Sequence, residues 1–236
     1  MPKSCTIVIS AYNEEKTLAS VFAEALATLQ DLQCDFEIIC CDDKSQDGTK
    51  ALISTLVAAC PQAKAIYHEQ NQGMFKTFEE LYQSATKDYV LLLPGDGQWH
   101  AGLLKEAFKH VDQYDVIIAR RIEKQYTLFR HLNSWAFNTV IPILFGIQLY
   151  DIGSVKLFRR EVLAKTPVGY RSAFTEAERL LKAHCLGFRI GHIDVEHRAR
   201  IDGKGRGASM KNIINAVRDM IDFRIRQWPS LSKHKQ

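Results

Sequence analysis

An α/β fold with a mainly parallel sheet flanked by helices is predicted by three features of the sequence. Short β-branched runs alternate with amphipathic stretches of helical period, the alternation recurs through the first hundred or so residues, and apolar runs end in clusters of polar residues. Such alternation builds βαβ units, whose crossover helices cover both faces of a parallel sheet.

The first run, CTIVISA (5–11), predicts a buried strand. Residues 14–32 follow as a helix, with Leu18, Val21, Phe22, Ala25, Leu26 and Leu29 on one face. FEIICC (36–41) predicts the second strand and 48–59 the second helix. KAIYH (64–68) is the third strand, 74–86 the third helix and YVLLL (89–93) the fourth strand.

Composition sets the scale. With 236 residues, 46% hydrophobic and 25% charged, the chain supports one sizeable core, either one large domain or a domain with a small appendage. The formal net charge of +4 is unevenly spread: from Arg198 onward it is +7, which leaves −3 for residues 1–197. The C-terminal end is therefore expected to face an anion such as phosphate, lipid headgroups or nucleic acid. The six cysteines form no CxxC pair and read as reduced thiols of a cytoplasmic protein. The start MPKSCTIVIS lacks a secretory pattern. The run WAFNTVIPILFGIQL (135–149) contains Pro142 and falls short of the ~20 residues that span a bilayer.

In open α/β sheets, ligands bind beyond the carboxyl ends of the strands. There the sequence places Ser10 to Glu15 after the first strand, Asp42 to Thr49 after the second and Pro94 to Gln98 after the fourth. No GxGxxG and no GxxxxGK[ST] is present. Acids, an aromatic and glycines at successive strand ends suit ribose hydroxyls and a metal that neutralises phosphate. Taken singly, Asp42 and Asp43 fit a helix cap or an Asx turn equally well, and Asp96 fits a turn. Their conjunction favours a ligand site.

IVISAYNEE, IICCDDKSQDGT and VLLLPGDGQ together resemble family 2 glycosyltransferases of the GT-A fold, especially the branch with dolichol-phosphate mannosyltransferase and bacterial polyprenyl-phosphate glycosyltransferases. ARR (119–121), FGIQLYDIGSVKLFRREVL (145–163) and GFRIGHIDVEHRARIDGKGRGAS (187–209) continue the resemblance in order, over roughly residues 5–210. It implies a Rossmann-like, mixed but mainly parallel sheet, a GDP- or UDP-linked sugar donor and a divalent cation, Mg or Mn. Residues 1–120 would bind the nucleotide-sugar, 121–210 the acceptor, and 211–236 would form a basic amphipathic helix and tail.

Carried over residue by residue, the resemblance makes Tyr12 and Glu14 contacts to the base, and Asp43, with Asp42 beside it, the acid that holds base or ribose. Asp96 and Gln98 match the metal-binding Asp-x-Asp-x-Gln segment, with Pro94 in place of its first acid. A hard divalent ion tolerates that loss, since it often takes one or two carboxylates and completes its shell with phosphate oxygens and water. Ser10 replaces a proline common in the family, and the segment around 151–156 is about one residue shorter than the usual form.

Cleaving a sugar from a nucleoside diphosphate builds negative charge on the leaving group, which metal and guanidinium groups stabilise. Arg121, Arg198, Arg200, Lys204 and Arg206 are the candidate cations, and RARIDGKGRGAS is expected to close over the diphosphate as a loop. The resemblance implies a single displacement with inversion. A hydroxyl acceptor needs a general base, for which Glu178 or Asp151 is the candidate; a lipid phosphate is already ionised and needs none.

The leading expectation is transfer to a polyprenyl phosphate by a cytoplasmic protein lying peripherally on the inner membrane face. The apolar spacing of Leu132, Trp135, Ala136, Thr139, Val140 and Ile143 suits an interfacial or a core helix. The stripe Met210, Ile213, Ile214, Val217, Met220, Ile221 and Trp228 suits a membrane anchor or a helix packed on the domain. Two alternatives stand: a transferase that extends a saccharide through a hydroxyl, and a catalytically impaired nucleotide-sugar binding protein. Nucleic acid fits poorly, because acid-rich strand ends repel a phosphate backbone.

Overall fold

The computed structural model of the protein describes residues 3–122, 128–196, 198 and 210–232. Strand β1 (Cys5–Ala11) runs parallel to β2 (Phe36–Asp42) on one side and to β4 (Tyr89–Pro94) on the other. β3 (Ala63–Tyr67) adds parallel to β2. Past β4 lies β6 (Lys156–Arg159), antiparallel both to β4 and to β5 (Val116–Arg121), and β7 (Ile190–Val195) closes the sheet parallel to β5. The order is β3-β2-β1-β4-β6-β5-β7, a mixed and mainly parallel sheet of seven strands.

Both faces of the sheet are covered, and strand alternation divides the core between them. Ile7, Ile9, Ile38, Cys40, Leu91 and Leu93 face one cluster, where α1 (Leu18–Asp31) inserts Leu18, Val21, Phe22, Ala25 and Leu29. The same side takes Ile53 from α2 (Thr49–Ala58) and Leu104 from α4 (Leu103–Phe108). Val8, Ile39, Cys41, Val90 and Leu92 face the other cluster. It is built with Leu81 and Tyr82 of α3 (Met74–Ser84), Phe145 of α5 (Leu128–Phe145), Val162 of α6 (Arg160–Lys165) and Leu180 of α7 (Thr175–Cys185).

The C-terminal helix α8 (Met210–Arg226) and the short α9 (Trp228–Leu231) belong to this second cluster. Ala216, Met220, Phe223 and Trp228 are buried, and Phe145 meets Trp228 at 5.0 Å and Phe223 at 5.8 Å between ring centroids. The apolar stripe expected on α8 is thus two faces. Its other face, Met210, Ile214, Val217, Ile221 and Ile225, is exposed. No helix among the described residues is long and apolar enough to cross a membrane. The side chains of Leu132, Trp135 and Ala136 lie outside the described ones.

Helix starts differ slightly from the sequence expectation. α1 begins at Leu18, because residues 14–17 form the turn in which the Glu14 carbonyl accepts the N–H groups of Thr17 and Leu18. The strands match more closely, since they are set by burial on both faces rather than by caps.

One buried acid ties the early strands together. The Oε1 atom of Glu37 on β2 accepts the Thr6 hydroxyl at 2.8 Å, the Thr86 N–H at 2.6 Å and the Thr86 hydroxyl at 2.8 Å, while Oε2 accepts Lys64 Nζ at 3.1 Å. Burial pushes this carboxyl up, but the bonds from Thr86, Thr6 and Lys64 outweigh burial and hold it below the usual carboxylate value. A lowered native value contributes stability above the unfolded-state pKa and loses it as pH falls through the native one. Glu37→Gln should therefore cost about 2 kcal/mol at neutral pH in urea titrations and shed less stability on acidification than the wild type. An unchanged acid limb would argue that Glu37 is not the tie.

Candidate active site at the carboxyl ends of the strands

The loops after β1 and β2 are stitched to each other by side chains acting on backbone. Ser45 Oγ accepts the Asn13 N–H at 2.9 Å, Asn13 Oδ1 accepts the Gln46 N–H at 2.8 Å and Thr49 Oγ1 accepts the Glu14 N–H at 2.8 Å. Glu15 Oε2 accepts the Gly48 N–H at 2.7 Å, and Asp42 Oδ1 accepts the Ser45 N–H at 3.1 Å. Asn13 and Lys44 hold φ of 57° and 64°, the left-handed region that non-glycine residues rarely enter. Tyr12 and Glu14 are half-buried on this rim. Asp42 thus makes the local turn considered for it.

Asp43 is only 4% exposed and its carboxylate draws three donors from beyond β3. Oδ1 accepts the Gln72 N–H at 2.7 Å and lies 2.7 Å from His68 Nδ1; Oδ2 accepts the Gly73 N–H at 2.9 Å. Gly73 has φ +83°, a conformation a side chain would strain, and it starts α3. The other His68 nitrogen, Nε2, lies 3.0 Å from Glu80 Oε2 and 3.4 Å from Cys41 Sγ. Burial, reinforced by Glu80, Asp43 and Asp42, pushes the Cys41 thiol far up and keeps it neutral.

At the end of β4, Gly95 donates its N–H to Ser10 O at 2.8 Å, and its carbonyl accepts the Thr17 hydroxyl at 2.6 Å. A Cβ at residue 95 would sit 3.1 Å from Ser10 O, a tight approach that glycine avoids. Asp96, half-buried, accepts the Gln98 N–H on Oδ1 at 3.1 Å. Gln98 is buried, and its carbonyl accepts the Arg198 N–H at 3.1 Å. That bond brings the segment after β7 to the segment after β4.

Trp99 joins them to β5. The Arg121 guanidinium lies 5.4 Å from its ring centroid and is clamped by Asp151, with Nε to Oδ2 at 2.7 Å and Nη2 to Oδ1 at 2.6 Å. The Arg121 N–H also donates to Asp151 Oδ2 at 3.0 Å, and both side chains are buried. Asp151 sits at φ 42°.

The structure therefore gathers Tyr12, Glu14, Asp42, Asp43, Asp96, Gln98, Arg121, Asp151 and Arg198 on one edge of the sheet. Three of the expected residues have protein partners in the structure. Arg121 is paired with Asp151 on both carboxylate oxygens. Glu178 is fully buried, accepting the N–H groups of Gly169 and Tyr170 and the ammonium of Lys182, so it ties α7 to the preceding loop. Arg198 reaches the rim through its backbone, while Nη1 pairs with Glu24 at 3.0 Å. Arg200, Lys204 and Arg206 lie outside the described residues.

The rim suits a hard cation that brings other ligands with it. Asp96 offers one carboxylate, Gln98 an amide oxygen, and among the described residues no group of three His, Cys, Asp or Glu is placed to hold a metal ion alone. A divalent ion chelated by a diphosphate matches that donor set. The sequence does not single out His68 or Glu80, although KAIYH ends on His68 at the carboxyl end of β3.

The sheet order, the acidic rim and the family match together make this a nucleotide-sugar-dependent glycosyltransferase. The chain belongs to glycosyl transferase family 2, which it matches over residues 6–166. It is similar to the undecaprenyl-phosphate 4-deoxy-4-formamido-L-arabinose transferase of Photorhabdus laumondii, 28% identical over 226 residues, which span 93% of this chain and 67% of that one. The enzyme of the same description from Pectobacterium carotovorum is 29% identical over 224 residues, with the same shares. In fold it resembles S. aureus TarS 1–349 in complex with UDP-GlcNAc (TM-score 0.68, 16% identity, 98% of this chain and 70% of that one). It also resembles glucosyl-3-phosphoglycerate synthase from Mycobacterium tuberculosis with Mn2+, UDP and glucosyl-3-phosphoglycerate (TM-score 0.68, 16% identity, 97% and 78%).

The Arg121–Asp151 clamp makes its own prediction. Asp151→Ala leaves a buried guanidinium without its carboxylate and should cost about 3–5 kcal/mol in urea unfolding, whereas Arg121→Met with Asp151→Leu should cost much less. Equal losses in the single and the double variant would mean that the pair is not acting as a buried salt bridge.

Proposed function

We propose that this chain is an inverting glycosyltransferase that moves a sugar from a nucleoside diphosphate to a polyprenyl phosphate at the cytoplasmic membrane face. The observation that carries the choice of acceptor is the state of the two candidate bases. Asp151 is bound on both carboxylate oxygens by Arg121, and Glu178 is buried and bound on both of its own. A hydroxyl acceptor needs a base, whereas a phosphate arrives ionised and needs none. The similarity to undecaprenyl-phosphate transferases over 93% of the chain supports the same acceptor class.

In this proposal residues 1–120 hold the donor and 121–210 the acceptor. Tyr12, Glu14 and Asp43 line the base and ribose side of the rim. Asp96 and Gln98 would hold a Mg or Mn ion, which supplies positive charge against the leaving diphosphate. Arg198 would exchange Glu24 for that diphosphate, with Arg200, Lys204 and Arg206 adding charge from the same segment. The uridine nucleotides in the two solved neighbours make UDP the first nucleotide to test, ahead of GDP.

A lipid acceptor also requires contact with a bilayer. The outer face of α8 supports it: Met210, Ile214, Val217, Ile221 and Ile225 are 45–69% exposed on one side of the helix, with Arg218 and Arg226 on the same element.

With undecaprenyl phosphate, a labelled UDP-sugar and manganese, the protein should form a lipid product that mild acid releases as free sugar. Asp96→Asn should lower turnover by about a hundredfold or more, as should removal of the metal by EDTA. An acid-stable glycoside would replace the phosphate acceptor with a hydroxyl, and nucleotide binding without turnover would leave a binding protein. In flotation assays with anionic vesicles, Ile214→Glu with Ile221→Glu should detach the protein while its thermal midpoint stays near that of the wild type.

A further inference from the structure

We propose that His68 is the positioning residue that presents Asp43 to the base of the donor nucleotide, and so helps to set which bases the site accepts. The role rests on the proposed function, because it requires that the rim around Asp43 binds a nucleotide.

The argument starts from the acceptor capacity of a carboxylate. An ionised carboxylate has about four lone-pair positions and donates nothing. In Asp43, His68 and the Gln72 N–H occupy Oδ1, and the Gly73 N–H occupies one position on Oδ2. One acceptor position is left, on Oδ2. A group held this way, 4% exposed and pinned from the far side, reads a partner by requiring a hydrogen from it. Uracil and guanine carry a ring N–H on their pairing edge; cytosine and adenine present a ring nitrogen lone pair at the matching place, which a carboxylate repels.

His68 is the side-chain member of this clamp, and its own position is fixed from three sides. Its backbone N–H donates to Asp42 O at 3.0 Å, continuing the β2–β3 ladder, and its ring is buried between Asp43 on one nitrogen and Glu80 with Cys41 on the other. An ionised carboxylate only accepts, so the Nδ1 atom that faces Asp43 meets Oδ1 as a donor. The charged groups facing it are Asp43 from the end of β2 and Glu80 from α3; the Cys41 thiol is neutral. Removing the Nδ1–H bond leaves Oδ1 with the Gln72 N–H alone and loosens the carboxylate's orientation, which the two backbone donors no longer fix by themselves. The Oδ2 position then no longer meets the base, while groups that act on the sugar and diphosphate are untouched.

Asparagine places an amide nitrogen near the position of histidine Nδ1 and glutamine places one near Nε2, so two substitutions separate the two sides of the ring. Calorimetric titration of UDP, GDP, CDP and ADP with manganese, on the wild type, His68→Asn and His68→Gln, tests the role, with thermal midpoints as a folding control. The wild type should prefer UDP or GDP over CDP and ADP. His68→Gln should weaken the preferred nucleotide about tenfold and narrow its margin over CDP, while His68→Asn stays within about threefold of the wild type. In turnover, the glutamine variant should raise the donor KM with kcat at saturation near that of the wild type.

Folded variants that bind as the wild type does would overturn the role of His68 alone, as would equal losses in both. If His68→Gln fails to fold, His68→Asn decides the matter, because a folded His68→Asn protein that loses tenfold in affinity has lost something other than the Nδ1–H bond. A wild type that binds none of the four nucleotides removes the proposed function, and the role of His68 with it.

Discussion

Parallel pairing of β1 with β2 on one side and β4 on the other is the constraint on which the site depends. Strands paired in this way end at the same edge, so the segments after Ala11, Asp42 and Pro94 emerge side by side although they are far apart in sequence. After Asp43 and Gly95, whose N–H groups still reach Ala11 O and Ser10 O, the backbone leaves the ladder. Its N–H groups are satisfied by Ser45, Asn13, Thr49, Glu15 and Asp42 instead, which accounts for the density of short polar residues just beyond each strand.

The same economy governs the acids. Carboxylates that sit against a core must be neutralised or saturated with hydrogen bonds. Glu37 and Glu178 are saturated and hold elements together, and Asp151 is neutralised by Arg121 in a clamp that sets the wall beside Trp99. Asp43 keeps acceptor capacity after its structural bonds are counted, and Asp96 is half-exposed on the rim. Division of labour among chemically identical groups therefore follows from how many donors each one meets.

The second half of the sheet is built differently. β6 runs antiparallel between β4 and β5, so the regular βα rhythm ends there; the long connection from β5 to β6 carries Asp151 back to the rim, and Arg198 reaches it just after β7. The face of the sheet opposite α1 is closed by α3, α5, α7 and α8. Because α8 is apolar on two sides, burying Met220 and Phe223 leaves Ile214 and Ile221 in solvent. Completion of the core and display of an apolar outer face thus fall to one helix.

The sequence by itself determined the first four strands and the intervening helices, because two-sided burial and helical periodicity are local patterns. It also located the acids at strand ends, and through the resemblance of its motifs it pointed to glycosyltransferases of family 2. Tertiary structure alone decided which of those acids are committed. Nothing in FTEAERLL tells that Glu178 turns inward to the N–H groups of Gly169 and Tyr170, and nothing in ARR tells that Arg121 meets Asp151, 30 residues away. Hydrogen-bond saturation is a non-local quantity, set by donors that folding brings from elsewhere in the chain. His68 shows the same limit from the other direction: a lone histidine after a strand is ordinary, and it gains meaning only when β2 and α3 place Asp43 and Glu80 on its two nitrogens.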